Sequence, residues 1–374
     1  MSGPLSGIRI LEVAGIGPGP FAAMVLADLG ADVLRLDRAA NVIGGDPADP
    51  PFDLLNRGRR SVGVDLKHPE GVATVLRLVE KADGLLEGFR PGVMEKLGLG
   101  PDACFARNAR IVYGRLTGWG QNGPLAGAAG HDTNYVALAG ALHAIGPRDG
   151  PPAVPLNLIG DFGGGALYLA MGMLAALLEV QKSGQGQVVD AAMVDGTASM
   201  LTLFYGLLAN GRWVDERESN LLDGGAPFVR CYETSDRKFM AVCAIERRFF
   251  QNLLEAMEIE EIVADDQYRA ESWREQEAIF ARAFATRTRD EWSQILEGAD
   301  ACAAPVLSLA EAPLHPHNAA RGTFVKVDGV QQPAPAPRFS KTPSAISQGP
   351  SAPSADRDVL AAWGLTQAEI AELV

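Results

Sequence analysis

Ile8-Arg-Ile-Leu-Glu-Val13, Gly15-Ile-Gly-Pro-Gly-Pro20, Phe21-Ala-Ala-Met-Val-Leu-Ala-Asp-Leu29, Gly30 and Asp32-Val-Leu-Arg-Leu36 follow one another near the start of the chain. The first is an apolar run of strand length, the second a Gly/Pro turn, and the third is helical in pattern. Gly30 ends that helix and Asp32–Leu36 is a second strand. A strand, a crossover helix and another strand make a βαβ unit, which requires parallel pairing. The alternation continues with a strand at Ser61–Leu66, a helix at Pro69–Ala82, and strands at Gly84–Glu87 and Ile111–Leu116. The fold class expected is therefore α/β, with a Rossmann-like large domain built on a parallel sheet.

Beyond it, His131–Ile145 and Gly164–Lys182 carry long apolar stretches and read as helices. A turn at Ser183–Gly186, a strand at Gln187–Ala191 and a helix from about Asp195 to Asn210 follow. From Gly224 the texture changes. Phe228–Thr234 and Lys238–Ala244 are β-like runs separated by Ser-Asp-Arg, a hairpin signal. Helices are expected at Arg247–Met257 and Gln276–Thr286, and Thr288-Arg-Asp-Glu291 is a capping box opening another. This is a smaller α+β domain. Residues 333–353 contain six prolines and read as a strap over the surface, followed by a last helix at the capping box Thr366–Glu369. The expected division is residues 1–200 with a returning segment 335–374 as the large domain, 201–223 as a linker, and 224–334 as the small domain.

The 374 residues suit two domains. Their net charge is −13, which argues against nucleic acid and anionic membrane as partners. The charge is unevenly spread: residues 1–120 hold 14 basic and 14 acidic side chains, so the whole excess lies downstream. The first third can therefore host an anionic ligand. Cys104, Cys231, Cys243 and Cys302 are scattered and form no C-x-x-C pair, which predicts free, mostly buried thiols in a reducing compartment. No basic leader opens the chain and Glu-Leu-Val closes it, so a cytoplasmic location is expected. The longest uncharged run, Phe162–Leu178, is short for a membrane span and reads as a buried core helix.

Gly17-Pro-Gly-Pro-Phe-Ala22 fits the dinucleotide pattern G-x-G-x-x-A, with Asp37 18 residues after Gly19. That motif works by offering bare backbone N–H groups to a pyrophosphate, and two of these residues are prolines with none to offer. A tight βα turn is the better account. Basic residues cluster near the ends of the strands: Arg35 and Arg38 at the second, Arg57, Arg59 and Arg60 before the third, Lys67 after it, and Arg90 after the fourth. Ligands bind at the carboxyl ends of parallel strands, and Arg38, Lys67 and Arg90 fall just past such ends. They suit phosphate groups.

Of the five histidines, His315-Pro-His317 lacks acidic or thiol partners at helical spacing and is expected to be a loop, so no metal site is expected. His68 precedes a proline and His143 sits in an apolar stretch, where a core role is expected. His131 stands at the mouth of an apolar helix in Gly130-His-Asp-Thr-Asn-Tyr135. The helix dipole disfavours its charged form, leaving a neutral imidazole able to act as a base, beside first-turn N–H groups able to hold an oxyanion. Asp161 precedes Phe162-Gly-Gly-Gly165 and reads either as an N-cap or as a base beside a glycine surface that a substrate approaches. Glu246 stands between an apolar strand and a helix.

Several segments together resemble family III CoA-transferases, and within them the α-methylacyl-CoA racemase branch. They are Pro4–Glu12, Leu26–Val33, Arg90-Pro-Gly-Val93, Thr117-Gly-Trp-Gly-Gln-Asn-Gly-Pro124, Gly130–Tyr135, Gly160-Asp-Phe-Gly-Gly-Gly165, Gly184–Asp190, Leu222-Asp-Gly-Gly-Ala-Pro227, Ala244-Ile-Glu246 and Gly364–Ile370. The resemblance spans nearly the whole chain. It implies that His131, supported by Glu246, is acid and base on one face of a substrate α-carbon, that Asp161 serves the other face, and that the Asp132 N–H region holds the thioester oxygen. It implies coenzyme A contacts at Ile16, Arg38, Val64, Lys67, Arg90 and Tyr135. It further implies an interlocked homodimer with active sites between the large domain of one chain and the small domain of the other. The substrate would be an acyl-CoA, and no separate cofactor is expected.

The chemistry fits the residue types. A proton α to a thioester is weakly acidic, so removing it needs a base together with donors that stabilise the enolate oxygen. Inverting the centre also needs a proton source on the opposite face. A transferase of the same superfamily would instead use an aspartate at the place of Asp161 as an acyl-anhydride nucleophile, and has no need of His131 and Glu246. A non-catalytic acyl-CoA-binding protein would keep the cations but not the three acid/base groups.

Overall fold

The structure is a computed structural model and describes residues 3–38, 52–350 and 357–371. The chain forms two compact units, one of Met1–Ala139, Leu156–Met200 and Ala319–Val374, the other of Gly140–Pro155 and Leu201–Asn318.

The first unit opens with β1 (Arg9–Val13), α1 (Pro18–Asp28), β2 (Asp32–Arg38), β3 (Arg60–Val64), α2 (Pro69–Val79) and β4 (Gly84–Glu87). It continues with α3 (Val93–Lys96), α4 (Pro101–Arg107), β5 (Val112–Thr117) and α5 (Asp132–Leu138). A π-helical segment (Leu158–Leu167) leads into α6 (Tyr168–Ser183), β6 (Val188–Ala192) and α7 (Met193–Met200). All six strands pair in parallel in the order β3-β2-β1-β4-β5-β6. The chain winds outward from β1 to β3 and then returns to lay β4 on the other side of β1. That reversal opens a crevice at the carboxyl ends of the two strands.

Burial on both faces explains the apolar residues that these strands turn to either side. Leu11, Leu34, Leu85 and Tyr113 point to one face, where α2, α4 and the C-terminal Trp363, Leu365 and Ile370 cover them. Ile10, Val33, Leu86 and Val112 point to the other, against Ala22, Ala23 and Leu26 of α1 and Leu169 and Met173 of α6. Helix α1 starts at Pro18, earlier than the pattern predicts, because its two prolines occupy first-turn positions where no N–H is needed. A hairpin at Phe324–Val327 and Val330–Pro333 and the proline-rich stretch after it are tied to the sheet. The Arg57 guanidinium donates to Gln332 Oε1 (2.9 Å) and the Pro333 carbonyl (2.8 Å), and the Gly58 N–H donates to the Gln348 carbonyl (2.9 Å).

The apolar stretch Leu158–Ser183 is 26 residues long and its most apolar window has a mean hydropathy of 1.5, enough by length and composition to cross a membrane. Half of its most apolar window is buried within the protein. The expected core helix is thus buried on one side only, and Leu167, Met171 and Leu178 are exposed.

The second unit holds α8 (Thr202–Ala209), the hairpin β7 (Val229–Glu233) and β8 (Phe239–Cys243), α9 (Arg247–Ala256), α10 (Trp273–Phe284) and α11 (Arg289–Leu296). A third strand, β9 (Ala303–Pro305), joins the hairpin antiparallel to β8. Phe228, Tyr232, Phe250, Phe280, Phe284 and Trp292 fill its core. The expected capping box is present, with the Thr288 N–H donating to Glu291 Oε2 (2.8 Å) and the Glu291 N–H to Thr288 Oγ1 (3.3 Å).

Four expectations need correction. The helix expected over His131–Ile145 stops at Leu138, because Gly140 takes the left-handed conformation (φ 93°). His143, beyond it, is exposed beside Asp215 and is no core residue. The helix expected over Asp195–Asn210 is two helices, broken at Leu201. The thiols are free as expected, but only Cys104 is buried; Cys231, Cys243 and Cys302 are exposed.

Candidate active site

The sheet's crevice is furnished by two helix starts and one turn of the first unit. The π-helical segment makes the first. Its turns are wide, with the Phe162 N–H reaching the Asn157 carbonyl five residues back (3.3 Å). The three glycines that follow Phe162 serve packing. A Cβ on Gly164 would lie 2.7 Å from both the backbone nitrogen and Oγ1 of Thr197, and one on Gly196 would lie 1.9 Å from the Gly164 carbonyl oxygen. The glycine run lets α7 cross the segment at backbone distance. The substrate-facing glycine surface, one of the two readings the sequence offers around Asp161, is filled at Gly164 by α7. Phe162 stacks on Phe21 of α1 (4.3 Å between ring centres), which sets the segment against the first turn.

Asp161 is held where that turn passes. A Cβ on Gly17 would stand 3.3 Å from Asp161 Oδ2, and Asn157 Nδ2 donates to the same oxygen (3.2 Å). Burial pushes the Asp161 carboxyl above its ordinary value, opposed by the Asn157 hydrogen bond and by the charge of His131. His131 is the residue that opens α5, its N–H donating to Asn134 Oδ1 (3.0 Å) and its side chain exposed. His131 and Asp161, on two different elements, thus lie within electrostatic reach of each other.

Asp132 joins those elements. Its buried carboxylate accepts the Gly160 N–H, at 3.2 Å to each oxygen. Burial first, and the Asp161 charge second, raise its proton affinity. A side chain so engaged does not act on a substrate. What Asp132 has to offer is its N–H, which as the first helical residue has no carbonyl one turn back. Tyr135, a turn further on, is also buried. Its hydroxyl donates to the Gly130 carbonyl and its ring meets Trp119 edge-on at 4.7 Å. Gly118 exists to let that ring pass, since a Cβ there would fall 2.0 Å from it.

The coenzyme A contacts expected from the resemblance separate into two kinds. Ile16 is 84% exposed, and Arg38, Lys67 and Arg90 are exposed at the ends of β2, β3 and β4. None of these three cations has an ion pair among the described residues. Arg90 comes near enough to Tyr135 to favour its ionised form, against burial and the Asp161 charge. Val64, only 4% exposed, and Tyr135 have no side-chain surface to give a ligand. The other basic residues singled out in the sequence are structural. Arg59 pairs with Glu12 (2.6 Å), Arg57 with Asp28 (2.6 Å), Arg35 with Asp37 (3.1 Å) and Arg60 with Asp32 (3.1 Å).

Glu246 belongs to the second unit, where it precedes α9 and is exposed. Its charge adds to burial in raising the Tyr268 phenol and the Cys302 thiol. Asn157 escaped notice in the sequence, although its place four residues before Asp161 puts it on the same side of a helix. Among the described residues no group of three or more His, Cys, Asp or Glu side chains is gathered as for a metal. The assembled groups can take a proton from one side of a carbon and return one from another, with helix-start N–H groups available to an oxyanion.

The sequence profile of CoA-transferase family III matches residues 5–359. The chain is 44% identical over 373 residues to an alpha-methylacyl-CoA racemase of Mus musculus and 42% identical over 374 residues to one of Homo sapiens. Each match covers 99% of this chain and 96% of the relative. The crystal structure of a CAIB/BAIF family protein from Brucella suis superposes with a TM-score of 0.82 at 25% identity, over 97% of this chain and 99% of that one.

Proposed function

The chain belongs to CoA-transferase family III, and on that premise we propose that it is an α-methylacyl-CoA racemase, epimerising 2-methylacyl-CoA thioesters through an enolate. The single observation that carries this is the pairing of His131 and Asp161. An imidazole at a helix start lies within electrostatic reach of a carboxyl on another element whose proton affinity burial raises. Two acid/base groups of different kind are the minimum for inversion. One removes the α-proton, the other delivers a proton to the opposite face, and the roles exchange for the other epimer.

In this mechanism the coenzyme A portion of the substrate lies along the apolar Ile16 and the cations Arg38, Lys67 and Arg90, and the charges of these three complement its phosphates. The thioester oxygen, as it gains charge, accepts from the Asp132 N–H. The Asp132 carboxylate holds the two helix starts in register. Asp161, with its affinity for protons raised, is a better proton donor near neutrality than an ordinary carboxyl. Glu246 supports His131 from the partner subunit in a homodimer. The exposed apolar side chains Leu167, Met171 and Leu178 support such self-association. No metal or redox chemistry is needed for a proton exchange at carbon.

The test is incubation of one 2-methylacyl-CoA epimer in deuterated water, following deuterium at C2 together with the epimer ratio. Uptake accompanied by epimerisation is expected. Absence of both across several 2-methyl chains, with acyl-CoA exchange onto a free acid instead, would make the chain a transferase that uses Asp161 as a nucleophile.

A further inference from the structure

Glu87 is the last residue of β4, and its side chain is fully buried. A carboxylate there is costly unless every oxygen is engaged. One oxygen, Oε1, accepts from Arg115 Nε on the neighbouring strand (3.1 Å). The other, Oε2, accepts the backbone N–H of Phe89 (2.6 Å), two residues on. Arg115 then reaches across with its two terminal nitrogens to both oxygens of Glu95 on α3 (2.9 and 3.2 Å).

Between the two carboxylates runs Gly88-Phe-Arg-Pro-Gly92. Glu87 holds the start of this loop, Glu95 stands just past its end, and Arg115 links them. Within the loop the Val93 N–H donates to the Arg90 carbonyl (3.1 Å), and Gly92 takes the left-handed conformation (φ 81°) that turns the chain into α3. The only cation in the loop is Arg90, and it makes no ion pair among the described residues.

We propose that Glu87 is a positioning residue for the anionic ligand: with Arg115 and Glu95 it braces both ends of the Gly88–Gly92 loop, and so fixes where Arg90 presents its guanidinium. This rests on Arg90 being a coenzyme A contact. Such a brace lowers the conformational freedom that the loop would lose on binding. Burial pushes the Glu87 carboxyl up to about 6, against the Phe89 N–H and Arg115, with Glu95 adding to the rise. Tyr113 and Cys104 are further titratable groups of this buried cluster; burial and Glu87 raise the Tyr113 phenol, and burial raises the Cys104 thiol to about 12, so neither titrates in the working range. Glu87 is therefore ionised at pH 7.5 and takes up a proton as the pH falls through about 6, which weakens its hold on Arg115 and on the Phe89 N–H.

The experiment measures the dissociation constant of coenzyme A by calorimetry for the wild type, Glu87→Gln, Glu95→Gln, Arg90→Ala and the Glu87→Gln/Arg90→Ala double variant. At pH 7.5 Glu87→Gln should bind about fivefold more weakly, a part of the roughly tenfold that one charge-assisted contact from Arg90 contributes. Its KM should rise with kcat near the wild-type value. The ratio of its constant to that of the wild type should shrink toward one at pH 5.5, and this ratio cancels the titration of the ligand's own phosphates. The double variant should bind no worse than Arg90→Ala alone, because Glu87 acts through Arg90.

Full additivity of the two substitutions overturns the proposal, and so does unchanged binding by Glu87→Gln. If Glu87→Gln does not fold, Glu95→Gln, on the exposed flank, decides by the same cycle. Unchanged binding by Arg90→Ala removes the premise and the proposal together, while the deuterium experiment judges racemase activity on its own.

Discussion

Within the first 120 residues, arginines a few positions apart do opposite work. Arg57, Arg59 and Arg115 lie beneath the surface, each against a carboxylate within 3.1 Å. Arg38, Lys67 and Arg90 stand in the open at the carboxyl ends of β2, β3 and β4 with no carboxylate opposite them among the described residues. A buried guanidinium is tolerable only with a partner, and once partnered its field is largely spent. An exposed one without a partner keeps its field for a ligand. The neutral charge balance of this region thus combines a paired interior, which cancels, with edge cations that are offset only by exposed acids elsewhere, among them Asp65, Glu70 and Asp102.

The largest effects that would break this division concern the interior. Burial lowers the Arg59 guanidinium's hold on its proton, opposed by Glu12 and by Asp53. Arg59→Met should cost about 3–5 kcal/mol in urea denaturation, because it strands Glu12 uncompensated. Adding Glu12→Leu should restore most of the loss. A single variant within about 1 kcal/mol of the wild type would show that the pair is not the anchor its geometry describes.

His131→Ala and Asp161→Ala should reverse the pattern, with stability kept and epimerisation lowered about 100- to 10,000-fold, the range for loss of a general acid or base. Deuterium exchange from one epimer can survive in each, since each leaves the other base. The Asp161 carboxyl is raised by burial. Turnover of the epimer for which Asp161 is the base should therefore fall with decreasing pH sooner than an ordinary carboxylate requires, and Asp161→Ala should remove that limb from the pH profile.

How far the sequence discloses this division depends on range. The parallel sheet was legible because each strand and helix carries its own local signal, whereas the strand order β3-β2-β1-β4-β5-β6 is set by pairing between strands distant in sequence and was not. The placing of Arg38, Lys67 and Arg90 at strand ends was legible for the same reason. What could not be read was pairing. Arg59 and Glu12 are 47 residues apart, and Arg57 and Asp28 are 29 apart, and no local pattern distinguishes them from the free cations beside them. The glycines after Asp161 misled in the same way. A bare backbone serves a substrate and a crossing helix equally well, and only the position of Gly196 shows which of them it meets. Strand β9 was missed because Ala-Ala-Pro has neither alternation nor β-branched residues; its place beside β8 is dictated by tertiary pairing.

The smaller effects sharpen the comparison at its edge. Arg90→Ala should weaken coenzyme A binding about tenfold, the value of one charge-assisted contact to phosphate, and Lys67→Ala about threefold, as a point charge on a flexible stem. Both should leave the denaturation midpoint unmoved, and both should flatten the dependence of KM on salt, since exposed charges are the ones that salt screens. The intermediate case is Arg60. It has a partner, Asp32 at 3.1 Å, but the pair is only partly buried. Its geometry places it with the interior and its exposure with the edge. Surface pairs of this kind contribute about 0–1 kcal/mol, so Arg60→Ala should change stability by no more than that and coenzyme A binding not at all. A loss approaching that of Arg59→Met would mean that having a partner, rather than burial, separates scaffold from site. A loss of ligand affinity would mean that a paired cation at the amino end of β3 still reaches the ligand, and the line drawn between interior and edge would have to move.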